Sequence, residues 1–202
     1  MLPIYEFKIE DTDEAAGLTF VSLVDDPAIE KSFQLFANRE PLKFSITDEE
    51  KRIVSGPAMV ANLPIYRIDP VRGEYYGYFS AQTIWQLARK FFRENKHNAV
   101  NLQHATPVES GVHLVESWFV NRGRGVMPPK GYEDVTDGSW FISYLIDNDE
   151  VWNKCKAGSF KGFSIEGYFD TVHIPQAQET EESRKLKQLK DLLDRAAAQG
   201  II

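Results

Sequence analysis

Ser164 stands in the segment GFSIEG, between Gly162 and Gly167. Alternation along a strand puts Phe163, Ile165 and Phe169 on one face and Ser164, Glu166, Tyr168 and Asp170 on the other. A serine on the polar face can open into a cleft and attack a carbonyl, provided that a histidine takes its proton and a third group orients that histidine. The flanking glycines would allow a substrate backbone to come close, but they are equally ordinary in bulges and turns. On this setting alone the structural reading of Ser164 is the stronger one.

Four histidines compete for the role of base. His97 sits at the polar end of a helix, where a cation complements the dipole. His173 lies near the end of the last strand, and His113 alternates with Val112 and Leu114, which points it away from the apolar face. His104 differs, because it follows an apolar strand beside Asn101 and Gln103 and ends at the turn Ala105-Thr106-Pro107. Strand ends next to loops commonly hold catalytic groups, although most histidines do no chemistry.

For the third group, alternation in LVESWFV puts Leu114, Glu116 and Trp118 on one face, so Glu116 is expected to point inward. A buried carboxylate needs a partner, and His104 or a structural arginine such as Arg67 would serve. Glu166, Asp170 and His173 remain rivals for the role. Cys155 is a weak candidate nucleophile, being mid-helix between Lys154 and Lys156 rather than at a helix N-terminus. The pairs Asp25/Asp26 and Asp147/Asp149 lack a calcium-loop pattern and read as a turn and a helix start. The arginines of NRGRG belong to a solvated loop.

These residues need a scaffold, and the chain supplies one of mixed type. Residues 1–44 read as two strands with a turn, and residues 51–79 as further short strands punctuated by Gly56, Pro57, Pro64 and Gly73. Ser80 caps a helix whose Ile84, Leu87, Ala88, Phe91 and Phe92 recur at helical spacing. Strands are expected over 99–105, 111–120 and 139–146, with a long Gly- and Pro-rich, mobile loop between the last two. A short helix, NDEVWNKCKA, stops at Gly158, and KGFSIEGYFDTVHI follows as one long strand or a pair. The pattern implies an α+β domain built around an antiparallel barrel or sandwich flanked by helices. Residues 1–175 form that domain. Residues 176–202 are a separable amphipathic tail, in which Leu186, Leu189, Leu193 and Ala196 make a narrow stripe that needs a partner surface.

Composition narrows the function classes. A net charge of −7 disfavours coating nucleic acid, and one cysteine among 202 residues excludes an intramolecular disulfide. No apolar run approaches the roughly 18 residues that span a bilayer. No Cys/His cluster has metal-ligand spacing, so neither a metal nor another cofactor is expected.

Several segments together resemble the phage prohead (capsid-maturation) serine proteases, specifically those of the XkdF type. They are VSLVDDPAIEKSFQLF, GPAMVANLPIYRID, YYGYFSAQTI, NLQHATPVESGVHLVESWFV and GSWFISYLIDNDEVWNKCKAGSFKGFSIEGYF, spanning about residues 18–170. The most specific pieces are the QH before VESW and GFSIEG after the short helix.

The resemblance implies an assemblin-like barrel of antiparallel strands wrapped by helices, with a histidine preceding the serine in sequence. It therefore implies Ser164 as nucleophile and His104 as base. Glu116 is preferred as the third member, since the assemblins use a second histidine after the serine and His173 is rather close in sequence. The implied substrates are phage scaffold and major capsid protein, and the chain itself, cleaved inside the assembling prohead in the host bacterial cytoplasm. The tail would serve self-association or binding to scaffold, and neither nucleic acid nor membrane would be a direct partner. Two other readings stand beside this one. One is a protease-like scaffold or internal virion protein without activity, which the tail favours. The other is a small esterase, for which the G-x-S-x-G spacing is missing.

Overall fold

The apolar alternation resolves into strands and two α-helices in the computed structural model, which describes residues 2–10, 12–27, 42–108 and 110–174. The tail over 176–202 and part of the segment up to residue 44 lie outside the described residues. The strands are β1 (Ile4–Lys8), β2 (Gly17–Val24), β3 (Ser45–Asp48), β4 (Ile53–Met59), β5 (Ile65–Asp69) and β6 (Gly73–Phe79). They continue as β7 (Val100–Leu102), β8 (Thr106–Pro107), β9 (Val112–Phe119), β10 (Trp140–Ile146), β11 (Gly162–Tyr168) and β12 (Asp170–Ile174). Helix α1 (Ala81–Arg93) lies between β6 and β7, and α2 (Asp149–Lys156) between β10 and β11.

Among the described residues the strands form three four-stranded sheets, in the orders β12-β1-β6-β5, β3-β4-β10-β9 and β11-β2-β7-β8. The arrangement is sandwich-like α+β, and among the described residues no sheet closes into the barrel that was expected. Nor is it wholly antiparallel, because β1 runs parallel to β6 and β2 parallel to β7. Parallel neighbours require a crossover, and α1 lies within the one between β2 and β7. The strand expectation for residues 162–174 resolves as a pair divided between two sheets. β11 joins β2, while β12 crosses to join β1.

The helices form where their caps and stripes indicate. Ser80 accepts a hydrogen bond from Thr83 N at 3.3 Å, and α1 buries Ile84, Leu87, Ala88 and Phe91. Asn148 caps α2 through Val151 N at 3.0 Å, with Asp149 and Glu150 in the first turn and Lys154 and Lys156 in the last. Past its end Gly158 adopts φ +70°, the left-handed conformation that suits glycine.

The central strand of the core is β10, whose Trp140, Ile142, Tyr144 and Ile146 are fully buried against Val21 and Leu23 of β2, Phe163 of β11 and the α1 stripe. A smaller cluster, with Phe141, Val120, Val135 and Leu42, covers the other side of β10. The loop before β10 is fastened rather than loose. Arg122 pairs with Asp137 at 2.5 Å and donates to the carbonyls of Glu133 and Val135 at 2.9 Å each.

Candidate active site

Ser164 and Ser22 are direct cross-strand partners in the antiparallel pair of β11 and β2, and Ser22 is in turn aligned with Asn101 across the parallel pair of β2 and β7. Aligned residues share a sheet face. One face of the third sheet therefore carries a polar row, Ser164–Ser22–Asn101, with Glu166 two residues further along β11. Glu166 lies opposite Phe20, so it is the diagonal neighbour of Ser22, a separation of about 7–8 Å that a long side chain spans.

His104 reaches this row from a strained turn. Gln103 and His104 adopt φ +55° and +57°, and Ala105 N donates to Leu102 O at 3.0 Å. Positive φ at both central residues with that bond gives a tight turn of the I′ kind, set within the three-residue link 103–105 that joins β7 to β8. Neither central residue is glycine, so the conformation costs energy that the surroundings must offset, a situation that clusters at functional sites. The turn is held to the end of β2 by Gln103 N donating to Leu23 O at 3.0 Å and by Gln103 Oε1 accepting from Asp25 N at 3.2 Å. His104 thus sits inside the turn rather than ahead of one at Ala105-Thr106-Pro107.

The side chains converge on one carboxylate oxygen. Glu166 Oε1 lies 2.9 Å from His104 Nδ1, accepts the Ser22 hydroxyl at 2.7 Å, and also accepts the Asn101 side-chain amide. Ser22 Oγ is 3.0 Å from the same His104 Nδ1. Since the Ser22 proton goes to Glu166, its oxygen is the acceptor toward the imidazole, and both contacts put the imidazole proton on Nδ1. Nε2 has no hydrogen-bond partner among the described residues. Burial works to raise the Glu166 carboxyl, but hydrogen bonds from Ser22, Asn101 and His104 outweigh it and hold it below the usual carboxylate range. The grip of Glu166 also fixes the Asn101 amide, whose buried Oδ1 has no partner among the described residues.

Ser22 and Ser164 differ in access. Ser22 is completely buried, whereas Ser164 is half-buried and lines a groove of about 640 Å³. That groove follows consecutive residues 163–169 of β11 and its end, and is walled opposite by Ile65, Arg67, Tyr75 and Phe79 of β5 and β6. Among the described residues no strand pairs with the outer edge of β11. No hydrogen bond joins Ser164 to His104 there either; they approach through Ser22, which lies between them on the shared face.

Glu116 is elsewhere. It is exposed on β9 and accepts the Ser143 hydroxyl at 2.5 Å. The expected inward position fails because of a register shift: Ser143 faces Glu116 but the adjacent Tyr144 faces Leu114, so Val115 is an extra residue. A bulge of this kind breaks alternation and sends Glu116 to the face opposite Leu114. Arg67 does not pair with it. Asp170 pairs with Lys8 across β12 and β1, and His173 rings against Tyr5, both in the first sheet. His113 is exposed, and His97 stacks on Phe92. Cys155 is buried, which pushes its thiol up to about 11.

The glycines of GFSIEG also have local reasons. A Cβ on Gly162 would come within 2.7 Å of Pro27, and one on Gly167 within 2.2 Å of the Gly17 carbonyl. The close approaches they permit are to the chain's own Pro27 and to the Gly17 carbonyl of β2. Reasoning from the sequence missed Ser22 and Asn101. The available signal was a hydroxyl inside the apolar run LTFVSLV, since a buried polar group requires a partner.

The family model described as "Putative phage serine protease XkdF" matches residues 43–173. The chain belongs to this XkdF family. A curated relative, "Phage-like element PBSX protein XkdF" of Bacillus subtilis (strain 168), is 27% identical over 161 residues, covering 78% of this chain and 50% of the relative. The chain therefore spans about half the length of that XkdF protein. No solved structure matches it. The match to the XkdF model includes His104, Ser164 and Glu166 but begins after Ser22.

Proposed function

We propose that the chain is a serine endopeptidase in which Ser164 is the nucleophile, His104 the general base and Glu166 the carboxylate that orients it. The observation that carries this reading is the His104 imidazole held through Nδ1 by Glu166 at 2.9 Å, on the face that Ser164 shares. With Nδ1 protonated, Nε2 takes the proton of Ser164 as its oxygen attacks a peptide carbonyl, and returns it to the leaving amine. Water then hydrolyses the acyl-enzyme by the same route. Glu166 stabilises the imidazolium that forms in each step, while Ser22 and Asn101 keep Glu166 in place. Hydrogen bonds in an unliganded site are often loose and tighten with substrate, and this reading requires the His104 imidazole to move from Ser22 toward Ser164 when substrate binds.

The substrate is an extended peptide laid along the open edge of β11, where main-chain pairing gives affinity. The family's phage setting supports a role in head assembly, with scaffold, major capsid protein and the chain itself cut inside the assembling prohead. In that role residues 176–202 act as the assembly handle, and the domain is a variant of the assemblin-like plan.

A second reading makes Ser22 the nucleophile, because its hydroxyl already touches His104 at 3.0 Å. Its burial and its bond to Glu166 weigh against this, since a substrate carbonyl must reach the attacking oxygen. Labelling the full chain with a fluorophosphonate, followed by peptide mass spectrometry, separates the two. Modification of Ser164, lost in Ser164→Ala and retained in Ser22→Ala, is expected. Modification at Ser22 overturns the assignment, and a folded chain labelled at neither serine points to the inactive scaffold or virion protein.

A further inference from the structure

The wall of the groove facing Ser164 is apolar and aromatic except at Arg67. Arg67 alternates with the buried Ile65 on β5 and faces the buried Tyr75 across the pair with β6. Its guanidinium therefore points toward the interior side of an edge strand. The hydrogen bond it makes is to the neighbouring carbonyl, Nη1 to Tyr66 O at 3.2 Å, and no carboxylate pairs with it among the described residues. Two other arginines of the molecule do find carboxylates: Arg52 with Asp149 at 2.6 Å and Arg122 with Asp137 at 2.5 Å. The carboxylate of Glu166, which lines the same groove, is already occupied by Ser22, Asn101 and His104. Burial lowers the Arg67 pKa from its ordinary value, the mark of a charge short of solvation.

A partly desolvated guanidinium with most of its five donors free is matched by a planar carboxylate, which it can grip with two parallel hydrogen bonds. We propose that Arg67 is a specificity-determining residue that receives an Asp or Glu side chain of the bound peptide, so that the chain selects substrates carrying a carboxylate at one fixed position from the cleaved bond. The inference rests on the peptidase reading, and it supplies the substrate class. A neutral residue at that position leaves the guanidinium unpaired, and a lysine there is repelled. An inward charge on an edge strand also discourages pairing with foreign strands, whatever its sign. Only a carboxylate subsite depends on the sign.

The test uses the full chain carrying Ser164→Ala, so that binding is read without cleavage. The probes are short N-acetylated, C-amidated peptides in which one Glu moves stepwise through an alanine–leucine background, each with a Gln twin and a Lys twin. At one position Glu should bind about tenfold more tightly than Gln, with the advantage shrinking as salt rises. Adding Arg67→Gln should erase the preference, and Arg67→Glu should turn it toward Lys, which a merely structural arginine would not do. Equal affinity for Glu and Gln at every position in the chain with Arg67 intact overturns the proposal, whether or not the Arg67 variants fold. Because binding is measured on a cleavage-dead chain, this failure leaves the Ser164 reading standing. Conversely, a Glu preference in a chain whose Ser164 resists the fluorophosphonate sinks the peptidase reading alone.

Discussion

Two strand faces of this molecule carry nearly the same polar device. On β11, β2 and β7 a carboxylate, Glu166, gathers the Ser22 hydroxyl and the Asn101 amide. On β9, β10, β4 and β3 another carboxylate, Glu116, accepts from Ser143, which bonds Ser55 at 2.8 Å, which in turn bonds Thr47 at 2.8 Å. Both rows solve the same problem, satisfying hydroxyls caught inside a sheet. They differ in what adjoins the carboxylate. Glu166 holds an imidazole presented by a strained turn and shares its strand with a serine that opens on a groove, whereas the Glu116 row contains no histidine. A carboxylate beside a serine on a strand is thus structural by default. The turn at residues 102–105 and the open edge of β11 make one of the two rows a candidate site.

The largest expected effect tests that difference at the imidazole. Replacing His104 by Ala should lower kcat/KM for a cleaved capsid-protein peptide by about a thousandfold, within the range that a general base supplies. His113→Ala, on the strand of Glu116, should leave it unchanged. Equal losses would mean that the two faces are not functionally distinct. Next come the carboxylates. Glu166→Gln should lower kcat by about a hundredfold or more, since the orienting charge is lost while the shape is kept, and Glu116→Gln should leave kcat unchanged. The opposite ranking would return the third role to Glu116.

The Glu166 row also has a pH signature. Its carboxyl is held below the usual range in the folded chain, so the stability it contributes is present above the unfolded value and disappears as pH falls through the lowered one. The difference in unfolding free energy between wild type and Glu166→Gln should therefore be constant near neutrality and vanish at acid pH. A difference that persists below that point would place the interaction in packing rather than charge.

The reading from sequence fared differently in the two regions, for physical reasons. Ser80 and Gly158 are local signals, because caps act within a turn of themselves; α1 begins directly after Ser80 and α2 ends just before Gly158, whereas His97, expected at the end of α1, lies past its last residue Arg93. Alternation also placed Ser164 and Glu166 on one face, since β11 carries no bulge between them. It failed at Glu116 because one extra residue, Val115, inverts the face, and such an insertion is specified by the partner strand β10 and not by LVESWFV itself. Ser22 and Asn101 were invisible as a pair because a parallel register joins them across 78 intervening positions. The open sheets in place of a barrel have the same origin. Which strands become neighbours is a long-range property, and β12 leaving its own hairpin partner for β1 could not be read from the segment alone.

The smallest expected effect bears on whether the two rows are equally rigid. Ser143 is completely buried and bridges Ser55 to Glu116, so Ser143→Ala removes one donor and one acceptor from a chain of hydroxyls. The neighbours are not stranded, however. Ser55 keeps Thr47, and Glu116 lies on an exposed position where water replaces the lost hydroxyl. The cost should stay near about 1 kcal/mol, the low end for a buried hydrogen bond, because no charge is left unsolvated. Ser22→Ala has the same chemistry in a different setting. Glu166 keeps Asn101 and His104, but the imidazole loses one of its two anchors. Its thermal cost should be similar, about 2–4 °C in Tm for a domain of this size, while its effect on kcat should exceed that of Ser143→Ala. Thermal unfolding and steady-state kinetics on the two variants separate these quantities. Matching losses of stability with unequal losses of kcat would show that the rows are interchangeable as structure and distinct as chemistry, whereas matching losses of both would show that Ser22 acts only as packing.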